Sequence, residues 1–403
     1  MNAAEIAIAL SQPAGKADPY PLYAALHELG EAVEVQPGVV FVVGYDTISS
    51  VLRNPAFDKA RWDSFDDTMP AWREHPALVQ TSEWILGLNP PEHTRIRSLM
   101  ARAFTPRRVA GLETAIAGIA DALLDGMARA GRGGTPVEFM HDFAYLLPVT
   151  VICELIGIPE ADREEFRPLA RDIAAIFEFS DPSALPGIDA AAVTLSEFFS
   201  ALVAQRRGDP RDDLLSDLMA VSDAADGRLS DSELLSNLTL LLVAGFETTT
   251  NLLGNGLRII LDDPAAGDGV RDGSVPVASF VEEVLRFDSP VQLTSRIAHG
   301  TEVAGLAVPD WTEVITLIGA GNRDPGKFSE PGVFRPGRGE GAPLSFGGGA
   351  HFCIGAALAR LEAAVAFPRL LTRFPAMAAA GEPQRRDGLV LRGFDTLPVT
   401  LQQ

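Results

Sequence analysis

The chain has 403 residues, of which 47% are hydrophobic and 22% are charged, and its formal net charge at pH 7 is −21. This acidic balance argues against a protein that binds nucleic acid or an acidic membrane surface. Uninterrupted apolar runs stay shorter than the ~18 residues that a membrane-spanning helix needs. Residues 1–6 lack the basic start of a secretory signal. We therefore expect a cytoplasmic protein with neither a nucleic-acid nor a membrane partner.

Helical spacing of apolar residues dominates the chain from residue 110 onward. It predicts helices over 110–128, 145–156, 190–204, 234–260 and 355–371. Pro106 and Pro159 stand near predicted helix starts, where proline is tolerated. After Asp263-Pro264, three glycines between 265 and 273 argue against a further helix.

Strand signals are few and short. Residues 33–43 predict a hairpin that turns at Pro37-Gly38, and 303–308 and 389–391 predict shorter strands. No linker, repeat or low-complexity tract divides the sequence. The patterns together predict a mostly α protein with a minor β-sheet, organised as a single domain over residues 1–403.

The most informative segment is 346–355, a glycine-rich loop that places Cys353 just before an apolar helix. Glycine lets the backbone approach a bulky group closely, and a helix N-terminus favours the thiolate form of cysteine. The other cysteine, Cys153, lies in an apolar helical run and reads as a core residue. A disulfide framework is not indicated by two cysteines so far apart. A zinc site is not favoured, because zinc needs three or four ligands and His351 and Cys353 have no second Cys/His pair nearby in the sequence.

The loop resembles the haem-thiolate signature of cytochromes P450, F-G-x-G-x-H-x-C-x-G, with every fixed position filled. The resemblance covers nearly the whole chain. It implies the P450 fold, a triangular helical architecture with a buried haem between two long helices. It implies haem b as the cofactor and Cys353 as the axial ligand of its iron. Cofactor contacts then include Phe346, Gly347, His351 and Gly355.

The predicted helix over 234–260 contains Ala244-Gly245-Phe246-Glu247-Thr248-Thr249. A mid-helix glycine costs about 1 kcal/mol relative to alanine, and threonines can bond back to helix carbonyls. The segment therefore predicts a local distortion, with a tolerated imperfection in a buried helix as the alternative. It also resembles the P450 oxygen-activation motif. That resemblance implies that Thr248 steers protons to bound oxygen, that Glu247 relays them from solvent, and that Ala244 borders the cofactor.

Glu283 and Arg286 stand three residues apart, which makes them neighbours on a helix face. The pair resembles the P450 E-x-x-R motif, whose third member is an arginine eight residues before the phenylalanine of the loop. Arg338 occupies that position. The resemblance implies that Glu283, Arg286 and Arg338 form a structural triad rather than a catalytic one.

A basic stretch follows His93, with no acidic residue up to Arg108. By resemblance to the family, the partners of the two haem propionates are His93, Arg97, Arg296 and His351. The remaining arginines are Arg102, Arg107, Arg108 and Arg360. They predict a docking surface for an acidic ferredoxin, and the alternative is that they solvate a helix face or pair with nearby acids.

The resemblance implies a monooxygenase that inserts one oxygen atom from O2, by hydroxylation or epoxidation, into a lipophilic small molecule. Electrons would come from a ferredoxin and its reductase, and the substrate would be a secondary metabolite such as a polyketide or macrolide. Alternatives are a peroxide-driven or coupling haem-thiolate enzyme and a non-catalytic P450-like binding protein. The predicted pocket walls are mostly apolar: Trp84, Ile85, Leu86, Phe177, Phe179, Leu240, Val243, Val291, Leu293, Thr294 and Phe394.

Overall fold

The computed structural model describes residues 1–178, 182–224 and 229–401. Helices make up most of it. The α-helices are α1 Ala3–Ser11, α2 Pro13–Ala17, α3 Tyr20–Leu29, α4 Tyr45–Arg53, α5 Phe65–Thr68, α6 Pro76–Ser82, α7 Glu92–Ala103, α8 Pro106–Gly111, α9 Glu113–Ala130, α10 Leu146–Ile156, α11 Arg163–Ala174, α12 Leu185–Gly208, α13 Leu214–Ala224, α14 Asp231–Asp262, α15 Pro264–Asp272, α16 Val277–Phe287, α17 Ile318–Gly321 and α18 Ala356–Arg373.

Short helical turns of other types connect these elements. The 3-10 turns are Trp62–Ser64, Trp72–Glu74, Arg132–Gly134, Glu160–Asp162, Ala175–Glu178, Pro182–Ala184, Leu344–Phe346 and Gly349–His351, and Met140–Ala144 forms a π-helical turn. The strands are β1 Ala32–Gln36, β2 Val39–Val42, β3 Phe57–Asp58, β4 Val137–Glu138, β5 Thr294–Ala298, β6 Thr301–Val303, β7 Leu306–Val308, β8 Glu313–Thr316, β9 Ala378–Ala379, β10 Gln384–Arg385, β11 Phe394–Thr396 and β12 Pro398–Thr400.

The described chain divides into two compact units. Unit 1 comprises Met1–Asp58, Ala120–Ala144 and Thr248–Gln403, and unit 2 comprises Lys59–Ile119 and Tyr145–Glu247. The prediction of one domain over 1–403 stays a prediction. Helix α14 contributes to both units, since its residues up to Glu247 belong to unit 2 and those from Thr248 to unit 1.

The sheets belong to unit 1. The largest has the strand order β1-β2-β8-β5-β3, in which β2 and β8 run parallel and the other neighbours antiparallel. Smaller sheets are β4-β12-β9, β10-β11 and β6-β7. The predicted hairpin over 33–43 is confirmed as β1 and β2, and Val40, Val42 and Val314 of the large sheet are buried in one hydrophobic cluster.

The helix starts follow from local chemistry. Asn2 and Glu5 form a reciprocal capping box at the start of α1. Pro106 opens α8, where Thr105 accepts a hydrogen bond from the backbone of Arg108. Ser230 and Glu233 bond reciprocally at the start of α14, with the Ser230 Oγ accepting from the Glu233 backbone at 3.0 Å. The long predicted helices are thus confirmed, although 110–128 is split between α8 and α9.

The expectation that no helix follows Asp263-Pro264 is wrong, because α15 occupies Pro264–Asp272. The Asp263 side chain accepts from the backbone of Ala265 and Pro264 stands in the first turn, so the start is capped. Gly267 is buried, and a Cβ there would lie 2.9 Å from Ile260 Cγ2 and 3.2 Å from Leu371. Close packing on α14 and α18 therefore accounts for a glycine that looked like a helix breaker.

Two strand predictions are corrected. Residues 303–308 are not one strand but part of a hairpin, β6 and β7, because Ala304 (φ 49°) and Gly305 (φ 81°) form a tight turn between them. Residues 389–391 form no strand, and Leu391 makes a single bridge with Val291. Pro290 precedes that bridge and has no N–H with which to extend a ladder.

The sequence predicts no apolar run long enough for a membrane-spanning helix. Helix α12 nevertheless has the length and composition to cross a membrane, with a mean hydropathy of 1.4 over 18 residues. This is weak support for a membrane span, since the core helix of a soluble protein passes the same test. Its buried residues include Leu195, Phe199 and Arg206. Arg206 donates from Nε to Asp213 at 2.6 Å and from Nη2 to the Gly157 carbonyl at 2.7 Å. These contacts attach the C-terminal part of α12 to neighbouring residues of unit 2.

Candidate active site

The glycine-rich loop lies in unit 1, between the turn Leu344–Phe346 and α18. Gly349 has φ 63°, and a Cβ at this position would collide with the Leu52 carbonyl of α4, so only glycine fits. The Cys353 backbone N–H donates to the Phe346 carbonyl at 2.9 Å, which closes the loop. The Cys353 thiol is therefore held three residues before the first residue of α18, and the cysteine is exposed.

Cys153 has the opposite environment. It is fully buried in α10, and burial raises the pKa of its thiol to about 12. A thiol in that state stays protonated at neutral pH and does not ligate a metal. Of the two cysteines, only Cys353 is exposed and able to reach a ligand or a metal centre.

Arg296 lies on β5 of unit 1 and is only 4% exposed. Its Nη1 donates to the Thr294 hydroxyl at 3.2 Å and to the Ser295 carbonyl at 2.8 Å. Burial lowers the pKa of its guanidinium to about 10, and no carboxylate in the described part of the chain forms an ion pair with it. A buried cation in this position suits an anionic partner such as a carboxylate of a bound cofactor.

The structure brings Glu283, Arg286 and Arg338 together, as predicted. Arg286 donates two hydrogen bonds of 2.8 Å to the Glu283 carboxylate, and Arg338 Nε donates to the same carboxylate at 2.9 Å. Arg286 also donates to the carbonyls of Asn322 and Pro331, at 3.0 and 2.9 Å. This buried cluster, which we call the Glu283 cluster, fixes backbone on the approach to the cysteine loop.

Glu247 is 3% exposed, in a helix that stays continuous over Asp231–Asp262. The continuous helix agrees with the alternative expected from the sequence, a tolerated imperfection in a buried helix, and not with a local break at Gly245. A Cβ on Gly245 would lie 3.1 Å from the Ile152 side chain of α10, so this glycine allows two helices of unit 2 to pack closely. Phe246 packs edge-on against Tyr145, with ring centroids 5.1 Å apart. Ala244, Glu247 and Thr248 lie on the same helix, directly before and after Gly245-Phe246.

His93 and Arg97 lie on α7 of unit 2, one helical turn apart. His93 is 2% exposed. Burial lowers the pKa of its imidazole, and the neighbouring charges of Arg97 and Lys59 lower it further. The charges of Arg97 and Lys59 therefore act on the His93 imidazole, and cations near one another favour the binding of an anion.

The four arginines predicted to form a docking surface divide into two pairs. Arg102 and Arg107 are exposed, and neither makes an ion pair within residues 1–178, 182–224 and 229–401. Arg108 pairs with Asp212 at 3.2 Å and with Asp217. Arg360 pairs with Glu282, and its guanidinium lies 4.2 Å from the centroid of the Phe346 ring. Two of the four arginines are thus paired with nearby acidic residues, which agrees with the alternative to a docking surface for those two.

The predicted pocket residues fall into both units. In unit 2, Leu240 and Val243 are buried on α14, Ile85 is buried, and Trp84 packs against Phe177 with ring centroids 5.6 Å apart. Leu86 is 42% exposed. Phe179 lies outside the described residues.

The pocket residues of unit 1 lie around β5 and β11. Val291 and Thr294 are half-buried, and Leu293 and Phe394 are buried. The Phe394 ring supports the Arg385 guanidinium at 3.9 Å. Whether these side chains contact a substrate stays a prediction.

Sequence reasoning missed a buried charge cluster around Asp288 in unit 1. Its carboxylate accepts from Tyr20 Oη at 2.6 Å, from Arg392 Nε at 2.6 Å and from Arg385 Nη1 at 3.1 Å. Burial alone would raise the pKa of Asp288, but Arg392, Arg385 and the Tyr20 hydrogen bond outweigh it and hold the pKa at about 2. These partners are separated by up to 372 positions along the chain, so no local pattern signals the cluster.

Comparison with known proteins identifies the class. The family model "Cytochrome P450" matches residues 33–272 and 277–393. The chain therefore belongs to the cytochrome P450 family, a haem-binding class, and the predicted P450 fold is confirmed.

The relatives indicate the type of enzyme. Cytochrome P450 monooxygenase PikC from Streptomyces venezuelae is 38% identical, covering 95% of this chain and 91% of the relative. The 6-deoxyerythronolide B hydroxylase of Saccharopolyspora erythraea is 37% identical, covering 95% and 96%. A crystal structure of P450BioI with an acyl carrier protein that bears hexadec-9Z-enoic acid superposes with TM-score 0.88, at 31% identity, covering 96% of this chain and 100% of that one. The chain is a cytochrome P450 monooxygenase that takes electrons from a redox partner and acts on a lipophilic substrate.

Proposed function

We propose that this monooxygenase holds haem b through Cys353 and uses O2 and electrons from a ferredoxin to hydroxylate or epoxidise a lipophilic secondary metabolite. The observation that best supports the use of O2 is the acid–alcohol pair Glu247-Thr248 on the unbroken helix α14. Glu247 is buried there. A peroxide-driven enzyme or a non-catalytic binding protein has less need of such a pair.

The residues that would hold the cofactor fit its chemistry. Cys353 offers a thiol at the start of α18, on a loop closed by the Phe346 carbonyl. Arg296 offers a buried guanidinium without a carboxylate partner in the described chain, and it would bind one propionate. His93, Arg97 and His351 complete the set. When bound, haem supplies the iron at which dioxygen is reduced.

The chain's own contribution to the reaction is the control of protons and water. In this proposal Glu247 carries protons inward from solvent, and the Thr248 hydroxyl passes them on in the correct order. The buried side chains of Leu240 and Val243, on the preceding turns of α14, exclude bulk water from this segment. Excess water would deliver protons out of order and release peroxide instead of product.

The substrate class is supported by the apolar walls and by the relatives. The buried predicted walls are mainly aliphatic or aromatic, which favours a lipophilic ligand. One relative is named for hydroxylating 6-deoxyerythronolide B. We infer a polyketide or macrolide as the substrate, and a fatty acyl group on a carrier protein is the alternative that the P450BioI complex suggests.

The proton-steering role is tested with Thr248→Ala. We expect this variant to keep haem and substrate binding, to form product at least about tenfold more slowly, and to divert electrons to hydrogen peroxide. Product, peroxide and electron consumption would be measured together, with 18O2 to confirm the source of oxygen. The substrate would come from a screen of 6-deoxyerythronolide B and palmitoleoyl-acyl carrier protein by the spectral shift of the haem.

The matched control is Thr250→Ala, because the buried Thr250 hydroxyl has no hydrogen-bond partner among the described residues. It should couple electrons to product nearly as wild type does. Equal coupling in wild type and Thr248→Ala would reject the proton-steering role. Product oxygen derived from added peroxide rather than from 18O2 would favour the peroxide-driven alternative.

A further inference from the structure

The segment of unit 2 that carries Trp84 is bound to α14 by hydrogen bonds on both sides of this residue. The Glu83 carboxylate accepts from the Ser236 hydroxyl at 2.8 Å. Asn237 Nδ2 donates to the Glu83 carbonyl at 3.0 Å, and Asn237 Oδ1 accepts from the Ile85 N–H, also at 3.0 Å. The backbone before and after Trp84 is therefore held in one position on α14.

Trp84 has three polar groups, of which only the two backbone groups have partners. Its backbone N–H donates to the Thr81 carbonyl at 3.1 Å, and its carbonyl accepts from the Gly87 N–H at 2.9 Å. The residue is 1% exposed, and its indole N–H has no hydrogen-bond acceptor among the described residues. A buried indole N–H usually finds a partner, and leaving one unpaired is unfavourable. A ligand that brings an acceptor would remove this cost.

Trp72, in the same unit, shows the usual arrangement. It is 6% exposed, and its Nε1 donates to the Asp66 carboxylate at 2.9 Å. The two buried tryptophans therefore differ in whether the protein supplies an acceptor for the indole N–H. This difference makes Trp72 a matched control for Trp84.

The side chains near Trp84 are predicted walls of the substrate pocket. The Phe177 ring lies with its centroid 5.6 Å from that of Trp84. Asn237, which binds the segment, precedes the buried Leu240 by three residues, less than one turn of α14. An anionic acceptor beside such apolar side chains would need a cation to offset its burial. A neutral oxygen on a lipophilic ligand therefore suits the Trp84 N–H better than a carboxylate.

We propose that the Trp84 indole N–H is a specificity-determining donor that binds a neutral oxygen of the substrate, such as the carbonyl oxygen of a ketone or lactone. The inference rests on the proposed function, in which Trp84 belongs to the wall of a lipophilic pocket. Because α14 already fixes the segment, the donor loses little freedom when the substrate binds. It favours an oxygen-bearing ring over a ligand that presents only hydrocarbon at this point.

The test uses two ligands that differ by one carbonyl, cyclododecanone and cyclododecane, with the holoenzyme. Their Kd values would be measured by the spectral shift of the haem. The preference of wild type for the ketone should fall about three- to tenfold in Trp84→Phe, as expected for the loss of one neutral hydrogen bond. Replacing Trp84 by β-(3-benzothienyl)alanine, which has sulfur in place of the N–H at nearly constant shape, should have the same effect. Trp72→Phe should keep the wild-type preference.

The carbonyl stretch of bound cyclododecanone gives a second readout. With a 13C label at the carbonyl, its infrared band should lie at lower frequency in wild type than in Trp84→Phe, because a hydrogen bond weakens the C=O bond. An unchanged band would overturn the proposal, and so would equal weakening of both ligands, which would show that Trp84 acts by packing alone. Either result would leave the proposed monooxygenase function standing. Failure of 6-deoxyerythronolide B and both cyclic ligands to bind wild type would contradict the lipophilic pocket itself, and this inference with it.

Discussion

The arginines of the Glu283 cluster and those of the α7–α8 stretch carry the same side chain in opposite surroundings. Arg286 and Arg338 are 2% and 4% exposed and are bonded to a carboxylate and to backbone carbonyls. Arg102 and Arg107 are exposed and make no ion pair with the described residues. A buried guanidinium must find partners within the fold, so it acts on stability. An exposed one keeps its charge available, so it acts on the rate at which a partner arrives.

The largest effect should come from Glu283→Gln. The change leaves Arg286 and Arg338 buried beside a neutral amide, and loss of one partner from a buried ion pair costs about 3–5 kcal/mol. Because domains are stable by only about 5–15 kcal/mol, little folded holoenzyme should accumulate. The measurement is the free energy of unfolding by urea, together with the yield of haem-loaded protein.

The neighbouring Glu282 is the matched control for that change. It pairs with Arg360 on the surface, and both side chains are 35% exposed. Glu282→Gln should cost less than about 1 kcal/mol. If Glu282→Gln and Glu283→Gln destabilised the protein equally, burial would not be what separates the two groups of arginines.

A smaller loss should follow from Asp288→Asn. The native pKa of about 2 lies below the unfolded value of about 3.9, and that difference is worth about 2–3 kcal/mol at neutral pH. Because the pKa of Asp288 is lower in the folded protein than in the unfolded chain, its carboxylate stabilises the folded state fully above about pH 4. This stabilisation disappears as the pH falls from about 4 towards 2. The stability gap between wild type and Asp288→Asn, measured by urea unfolding at pH 6 and pH 3, should therefore narrow at the lower pH. A gap that widens would mean that Asp288 is not held as a carboxylate.

The Arg102→Glu, Arg107→Glu double variant should have the smallest effect on stability. Its effect should be on the rate of reduction instead. Its stability should match wild type, but reduction by an acidic ferredoxin should be about three- to tenfold slower at low salt. Added salt should narrow the difference, because screening acts over ~8–10 Å at physiological ionic strength. Stopped-flow reduction measures this directly, and substrate affinity should hardly change.

Arg129→Glu, Arg132→Glu is the control, since both arginines are exposed and both double variants change the net charge by −4, from −21 to −25. Equal slowing by both would show an effect of overall charge. Identical reduction of wild type and the Arg102, Arg107 variant would mean that these arginines only solvate a helix face. The structure narrows the surface to these two residues, because Arg108 and Arg360 already have acidic partners.

The sequence was sufficient to predict local structure that depends on neighbouring residues. The Cys353 loop, the Glu283–Arg286 spacing and the long helices are all local patterns, and the structure has them where they were predicted. It was insufficient where tertiary packing decides. Gly245 and Gly267 were interpreted as weak points in helices, whereas both allow close contact with another helix.

Long-range partners were also invisible in the sequence. The pairing of Arg360 with Glu282 and of Asp288 with Arg392 joins residues 78 and 104 positions apart.

The most direct test of thiolate ligation by Cys353 is the carbon monoxide spectrum of the reduced protein in two cysteine variants. We propose that Cys353, on its closed and exposed loop, binds the haem iron, whereas Cys153 is buried in α10. Cys353→Ser should lose the strongly red-shifted band of thiolate-ligated haem, and Cys153→Ser should keep it. Retention of the band in Cys353→Ser together with its loss in Cys153→Ser would contradict the assignment.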